Sequence, residues 1–362
     1  MRHPTAAAGL CDRLWEAVAE GDEHAAVTAV HEALADGVDR ETLLLEAIAP
    51  VQERVGAEWA ADRFTVAQEH AATAINERVI SALVHRAPAA GPPGPVRGRV
   101  TVSCVDGEWH AFPARLVAEV VRLRGWQVDY LGTQIPTPHL VAHLHRTAPD
   151  AVLLSGSVPT HLPTAHAAIT ACQAIGVPVL AGGRAFGPGG RHARALGADR
   201  WAADARGAAD VLEAGLPRPR PSMIRQPADD LPHLADQEYT MVAQSRFQLV
   251  KQTLVELEAR FPAVREYDDV RRERTAEDIG RIIDHLATAL YVDDALVFTE
   301  FVAWSAVILE ARNIPAHPLR TGLDIMAERL RDFPRCVHMI RDGSRALSGS
   351  PAPAHPGPDI CA

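Results

Sequence analysis

The stretch "RVTVSCVDGEWHAFPARL" (residues 99–116) passes from a β-branched apolar run through a short polar loop into a helical pattern. "RVTVSCV" reads as a strand, and "ARLVAEVVRLRG" reads as the helix that follows it. The alternation continues with "WQVDYLG" and "TPHLVAHLHRTA", "AVLLSGSV" and "TAHAAITACQAIG", "VPVLAGG" and "RHARALG", then "RWAA" and "ADVLEAG". Such an order predicts a doubly wound parallel sheet over 98–215, covered by helices on both faces, with ligands at the carboxyl ends of the strands.

The first of those strand ends carries Glu108 two residues before His110. Neither the phosphate-loop nor the dinucleotide glycine pattern is present. What the loop offers is an imidazole with a nearby carboxylate, a pair in which the acid can orient a metal-ligating histidine and raise its basicity. A lone loop histidine is otherwise an ordinary polar surface residue. Ser155 and Ser157 follow the third strand, and Gly182-Gly183 the fourth. Small and hydroxyl residues at consecutive strand ends leave a slot in the sheet edge.

Upstream, residues 8–85 show apolar positions at three-and-four spacing in four segments, which predicts an antiparallel four-helix bundle. The last junction is "WAADRFTVAQEH" (59–70). Thr65 and Gln68 form a capping box, so a helix starts near Val66, and Val66, Glu69 and His70 then share one helical face. With Trp59 from the preceding helix they make either a lid, apolar with two polar groups facing something beneath it, or a plain corner with Trp59 in the core. Downstream, 235–345 is helical throughout and reads as an all-α, globin-like domain. Two proline-rich breaks, "HRAPAAGPPGPVRGR" (85–99) and "GLPRPRPS" (215–222), separate the segments, and the Pro, Ala and Gly rich tail 348–362 has little to bury and is expected to be disordered. The fold class is α/β plus all-α.

A net charge of −10 argues against a direct nucleic-acid surface, because such surfaces draw their affinity from clustered Lys and Arg. No long apolar run suggests a signal peptide or a membrane span. The five cysteines (Cys11, Cys104, Cys172, Cys336, Cys361) are scattered without metal spacing, which fits a reducing cytoplasm. His139, His143 and His145 have helical spacing suited to a metal, but a solvated helix face explains them without one.

Glu108-x-His110 in a doubly wound sheet, followed by Ser155 and Gly182-Gly183, resembles cobalamin-binding domains in which a histidine replaces the cofactor's own benzimidazole under the cobalt. The resemblance implies that His110 is the lower metal ligand and Glu108 its partner. It also implies that the displaced nucleotide tail threads past Ser155, Ser157, Gly182 and Gly183. The family motif reads Asp-x-His-x-x-Gly; here Glu108 stands for the Asp and Pro113 for the Gly. Trp59, Val66, Glu69 and His70 resemble the cap of light-sensing repressors that enclose the adenosyl group of adenosylcobalamin. Those repressors begin with a helix-turn-helix module, which is not found in this chain, and carry a cobalt-capturing histidine directly after the lid tryptophan. Ala60 stands at that place, with His70 as the substitute.

"DHLATALYVDDALVFTEFVAWSAVILEARNIP" (284–315) resembles the C-terminal domain of photocobilins, photoreceptors that pair a cobalamin domain with a globin-like domain binding biliverdin. Two propionates call for basic groups, here Arg271 and Arg320 among Arg272, Arg274 and Arg312, and the pyrrole nitrogens call for an acceptor such as His285, with Asp284 and His338 as others. Cys336 could form a thioether or be a plain buried thiol. The reading is a cytoplasmic light sensor, not an enzyme, holding adenosylcobalamin and biliverdin, with a homo-oligomer or a downstream signalling protein as partner. The alternatives are a corrinoid carrier for a methyltransferase and a non-photochemical cobalamin sensor.

Overall fold

The computed structural model describes residues 4–85, 96–219 and 227–347. Most of the first proline-rich break, part of the second, and the tail 348–362 with Cys361 lie outside the described residues.

The first segment contains α1 (Pro4–Glu20), α2 (Glu23–Ala35), α3 (Arg40–Thr42), α4 (Ala49–Ala60) and α5 (Val66–His85). Leu43–Ile48 form a π-helical turn that joins α3 to α4 into one rod. Pro50 supplies a reason for the widening: it has no N–H to give to the Glu46 carbonyl, and its ring would crowd that carbonyl in a regular helix. The Cys11 thiol takes up the Glu46 carbonyl instead, at 3.0 Å. Reciprocal bonds at the start of α5, Gln68 N–H to the Thr65 hydroxyl (3.2 Å) and Thr65 N–H to Gln68 Oε1 (2.9 Å), are the capping box read from the sequence.

The second segment is a five-stranded, wholly parallel sheet of β1 (Arg99–Cys104), β2 (Gln127–Gly132), β3 (Ala151–Ser155), β4 (Val179–Gly182) and β5 (Arg200–Ala202), ordered β2-β1-β3-β4-β5. Its helices are α6 (Ala111–Leu123), α7 (Thr137–Thr147), α8 (Leu162–Ala174), α9 (Arg191–Ala195) and α10 (Ala205–Ala214). The strand order reverses between β1 and β3, so the loops after these two strands flank the switch-point crevice. Register sets Cys104 beside Ser155, and Ser155 beside Gly182, which brings the three strand ends level.

The third segment holds α11 (Pro227–Asp230), α12 (Glu238–Arg260), α13 (Pro262–Arg265), α14 (Asp269–Val292), α15 (Ala295–Ala311), α16 (His317–Arg329) and α17 (Pro334–Ala346). The sequence pattern begins the first long helix at Gln244 and the second at Thr275; both start about six residues earlier. The cause in α14 is Asp268, whose carboxylate caps the helix by accepting the Arg271 N–H at 2.8 Å.

Alternate strand residues point to opposite faces, and two cores result. Leu153 and Leu180 join α6, α10 and the first-segment helices in one. Val152, Leu154, Val179 and Ala181 join α7, α8, α9 and the C-terminal helices in the other. The sheet is therefore sandwiched between two helical bodies. Glu41 and Glu46 hold the first body through Arg206, with Arg124 also on Glu41. Asp294 holds the second through Arg191 (2.8 Å) and His192 (2.9 Å), and Tyr291 through a 2.8 Å bond with buried His166. Among the described residues no helix is long and apolar enough to cross a membrane.

Candidate functional site

Glu108 closes the switch-point crevice. It is completely buried, and its two oxygens collect donors from both flanking loops. Oε1 receives the N–H groups of Trp109 and His110, each at 3.1 Å, together with Nδ1 of the His110 ring. Oε2 receives the N–H groups of Ser157 (2.6 Å) and Val158 (3.0 Å) from the loop after β3. Burial pushes this carboxyl up, but the His110 ring and the Ser157 and His110 N–H groups outweigh it and hold it down at about 2. It stays ionised at neutral pH. Its bond to Nδ1 fixes the ring's tautomer and leaves Nε2 as the imidazole's metal-binding atom. The His110 side chain is one-fifth exposed, at the N-terminus of α6. His161, half-buried in the turn after β3, lies close enough to feel Glu108 and His110, and burial pushes its pKa down.

Beside this pair a cavity of about 330 Å³ opens between α6 and α10. Ser155, Gly182 and Gly183 line it from the strand ends, Leu116 and Val117 from α6, and Arg206 from α10. Gly183 has φ +98, and a side chain there would run into the Gly156 carbonyl. At Gly182 an added Cβ meets the Ala202 carbonyl at 3.3 Å. Glycine at both positions therefore lets the backbones at the strand ends pack closely where they line the slot. Ser157 sits at the Glu108 clamp, not on the slot wall, and contributes its N–H. Leu45, Ala49 and Glu53 of the first segment also line the cavity, a contribution the sequence reading missed. Nothing local in their sequence signals it, because it comes from the docking of the π-turn rod.

The corner at 59–70 is split. Trp59 is buried (5% exposed) but does not close over Val66, Glu69 and His70. Its ring lies 6.4 Å from that of Trp304 on α15, and the Arg312 guanidinium sits 5.2 Å from its centroid. The indole is thereby buried in the apolar core of the C-terminal helices. Val66 is 42% exposed, the His70 side chain 64%, and Glu69 turns inward to accept the Thr73 hydroxyl at 2.9 Å.

In the C-terminal helices, His285 is buried and stacked flat on Phe301, ring centroids 3.5 Å apart. Its Nδ1–H donates to the Arg281 carbonyl at 2.8 Å, while Nε2 is buried with no hydrogen-bond partner. Burial pushes its pKa down to about 4, so the ring is neutral and Nε2 carries a lone pair. Arg271 is not beside it: it is exposed at the opposite end of α14, about 21 Å away at 1.5 Å per residue. Arg320 is exposed on α16, and Arg272 pairs with Glu258. Asp284 pairs with Arg246 and His338 with Asp342, while Cys336 is fully buried. His143 pairs with Asp129, and among the described residues no cluster of three or more His, Cys, Asp or Glu could hold a metal ion.

A flush-ended parallel sheet with a carboxylate-held histidine at its switch point and an open slot beside it defines a ligand-binding α/β domain. Residues 10–84 and 98–212 each match a family model described as a B12 binding domain, together more than half of the chain. The chain belongs to a cobalamin-binding family. The HTH-type transcriptional repressor CarA of Myxococcus xanthus is 29% identical over 181 residues, covering 48% of this chain. The chain spans 58% of the length of that curated relative. Among solved structures, the monomethylamine corrinoid protein of Methanosarcina barkeri is 20% identical, covering 57% of this chain and 97% of its own at a TM-score of 0.47. A cobalamin-binding protein from Desulfitobacterium hafniense DCB-2 is 19% identical, covering 56% of this chain and 96% of its own at a TM-score of 0.31.

Proposed function

We propose that this chain is a cytoplasmic, non-enzymatic light sensor that holds adenosylcobalamin through His110 and takes biliverdin into its C-terminal helical domain. The observation that carries the cobalamin part is the Glu108 clamp, which fixes one tautomer of His110 at strand ends whose slot is lined by Ser155, Gly182 and Gly183. In this reading His110 ligates cobalt from below and the slot takes the nucleotide tail. Trp59, Val66, Glu69 and His70 attend the upper face. An alkylated cobalamin supplies a cobalt–carbon bond that visible light breaks. The chain's part is to hold the ligand, exclude water and repack when the upper group is lost, so that a binding difference between two states becomes a switch. A regulatory role accords with the matched relative being a transcriptional repressor. Output through a partner or a second copy of the chain follows from the acidic net charge, which disfavours direct DNA contact.

For the bilin, the supporting observation is His285 Nε2, a buried acceptor without a donor, such as a pyrrole N–H provides. Arg271, about 21 Å along α14 from His285, is too far to share its pocket, and Arg320 is the basic group left to this reading for a propionate.

The test is the absorption of the purified full chain with adenosylcobalamin, in darkness and after illumination, with and without biliverdin. The expected results are a histidine-ligated spectrum that His110→Ala abolishes, a light-driven change, and a red band that biliverdin supplies. Light-insensitive spectra together with methyl transfer to an added acceptor would replace the sensor with a corrinoid carrier.

A further inference from the structure

Trp59 belongs to the first segment by sequence but not by packing. The other buried apolar residues of α1 to α5 and the π-turn join the core shared with α6 and α10, whereas Trp59 joins the core of the C-terminal helices. Three contacts hold it there. Trp304 lies against its ring at 30° and 6.4 Å, and the Arg312 guanidinium covers it at 5.2 Å. Arg312 Nε also approaches Asp62 Oδ1 at 3.7 Å, so one side chain grips both the indole and the turn that follows it. Phe301 lies 6.1 Å from Trp304 and stacks on His285, which carries the contact on to α14.

An indole this deeply buried has little surface left for anything else. A bulky upper axial group that packs on Trp59 must displace part of what covers it now. We propose that Trp304 and Arg312 are positioning residues that compete with the upper axial group for Trp59, so that docking of the C-terminal domain at this corner and enclosure of an adenosyl-sized group exclude one another. The inference rests on the reading of Trp59 as the upper-face residue. It adds the route by which loss of the upper group reaches the C-terminal helices: Trp59, once released, returns to Trp304 and Arg312. Because coupling between two equilibria is reciprocal, weakening the latch must favour the bulky group by the factor that the group weakens the latch.

The test compares adenosylcobalamin with methylcobalamin, which differ only in the upper group, in spectral titrations of the full-length wild type and four variants. Trp304→Leu and Arg312→Gln should each raise the adenosyl-to-methyl affinity ratio by about fivefold or more, with methylcobalamin affinity unchanged, and Arg312→Lys should restore part of the wild-type ratio. In the wild type, adenosylcobalamin but not methylcobalamin should speed deuterium uptake in the α15 peptide that contains Trp304, a readout that does not depend on any variant folding. Unchanged ratios and unchanged uptake overturn the competition. If Trp59→Ala still selectively loses adenosylcobalamin in that case, the enclosure reading survives. If Trp59→Ala binds both forms as the wild type does, enclosure and latch fall together.

Discussion

Replacing Glu108 with alanine tests the clamp on which the site rests. The carboxylate is wholly buried and accepts five donors: the His110 ring and the N–H groups of Trp109, His110, Ser157 and Val158. Four of the five are backbone groups that remain when the side chain is removed. A buried donor left unpaired costs about 1–3 kcal/mol, but water can enter the space vacated by the side chain and meet some of them. Hydrogen bonds to a charged group count for about 1.5–3 kcal/mol each, so losing two that water does not restore costs at least about 3 kcal/mol, which is the better guide here. The loss should be local, because the carboxylate ties the loop after β1 to the loop after β3. The assay is hydrogen exchange on the full chain, read at the peptides covering residues 105–112 and 156–160. A loss of that size speeds exchange there by on the order of 10²–10³-fold, while α12 to α17 keep wild-type protection. Glu108→Gln retains shape and one acceptor oxygen and should fall between the two. An acceleration below about tenfold at Ser157 and Val158 would show that other groups hold the loops and that the clamp is not what orders His110.

Two further outcomes concern His285 and the slot. His285 is held neutral at about 4 against an ordinary 6.5, so the unfolded chain takes up its proton first as pH falls. This part of the stability is intact above pH 6.5 and is lost progressively between there and pH 4, by about 3 kcal/mol in all. Urea titrations of wild type and His285→Phe at pH 7.5 and 4.5 should therefore differ in pH slope, and parallel slopes would refute the assignment. In the slot, Gly182→Val should weaken cobalamin by more than about tenfold and leave cobinamide, which lacks the nucleotide tail, within about twofold. Equal loss of both would mean that the tail lies elsewhere.

The parallel sheet was legible because its signal is local. Each strand is a short apolar run ended by glycine or a polar loop, and each helix has its own period, so 98–215 could be parsed element by element. The Glu108–His110 pair was legible for the same reason, being two residues apart at a strand end. The Thr65–Gln68 capping box set the start of α5 from four residues alone. What could not be read was every contact made across the chain. Ser157 and Val158 reach Glu108 from about 50 residues away with backbone N–H groups, which no residue type announces. His161 could have been suspected, since "GSVPTH" (156–161) follows β3 directly, but its closeness to His110 depends on the strand order. The widened turn before Pro50 left a trace in the proline, yet its consequence, Leu45 and Ala49 on the wall of the slot, depends on how the rod docks.

Trp59 is the sharpest case, because the two meanings of the quoted corner, lid or core, are separated by a contact with a residue 245 positions away. Local pattern left lid and core both open, and the family resemblance set the indole with Val66, Glu69 and His70. The structure sets it against Trp304 and Arg312, and neither arrangement violates any local rule. In the proposed competition the indole has two destinations, the Trp304–Arg312 surface that covers it and the upper axial group, which gives the corner the physical form of a switch. The energy that separates the two states is a difference between burials, so a ligand contributing a few kcal/mol on one side is enough to reverse it. The corner's ambiguity in the sequence and the proposed switch thus have the same origin: residues 59–70 specify what the indole needs, and residues far from them in the chain decide which partner meets that need.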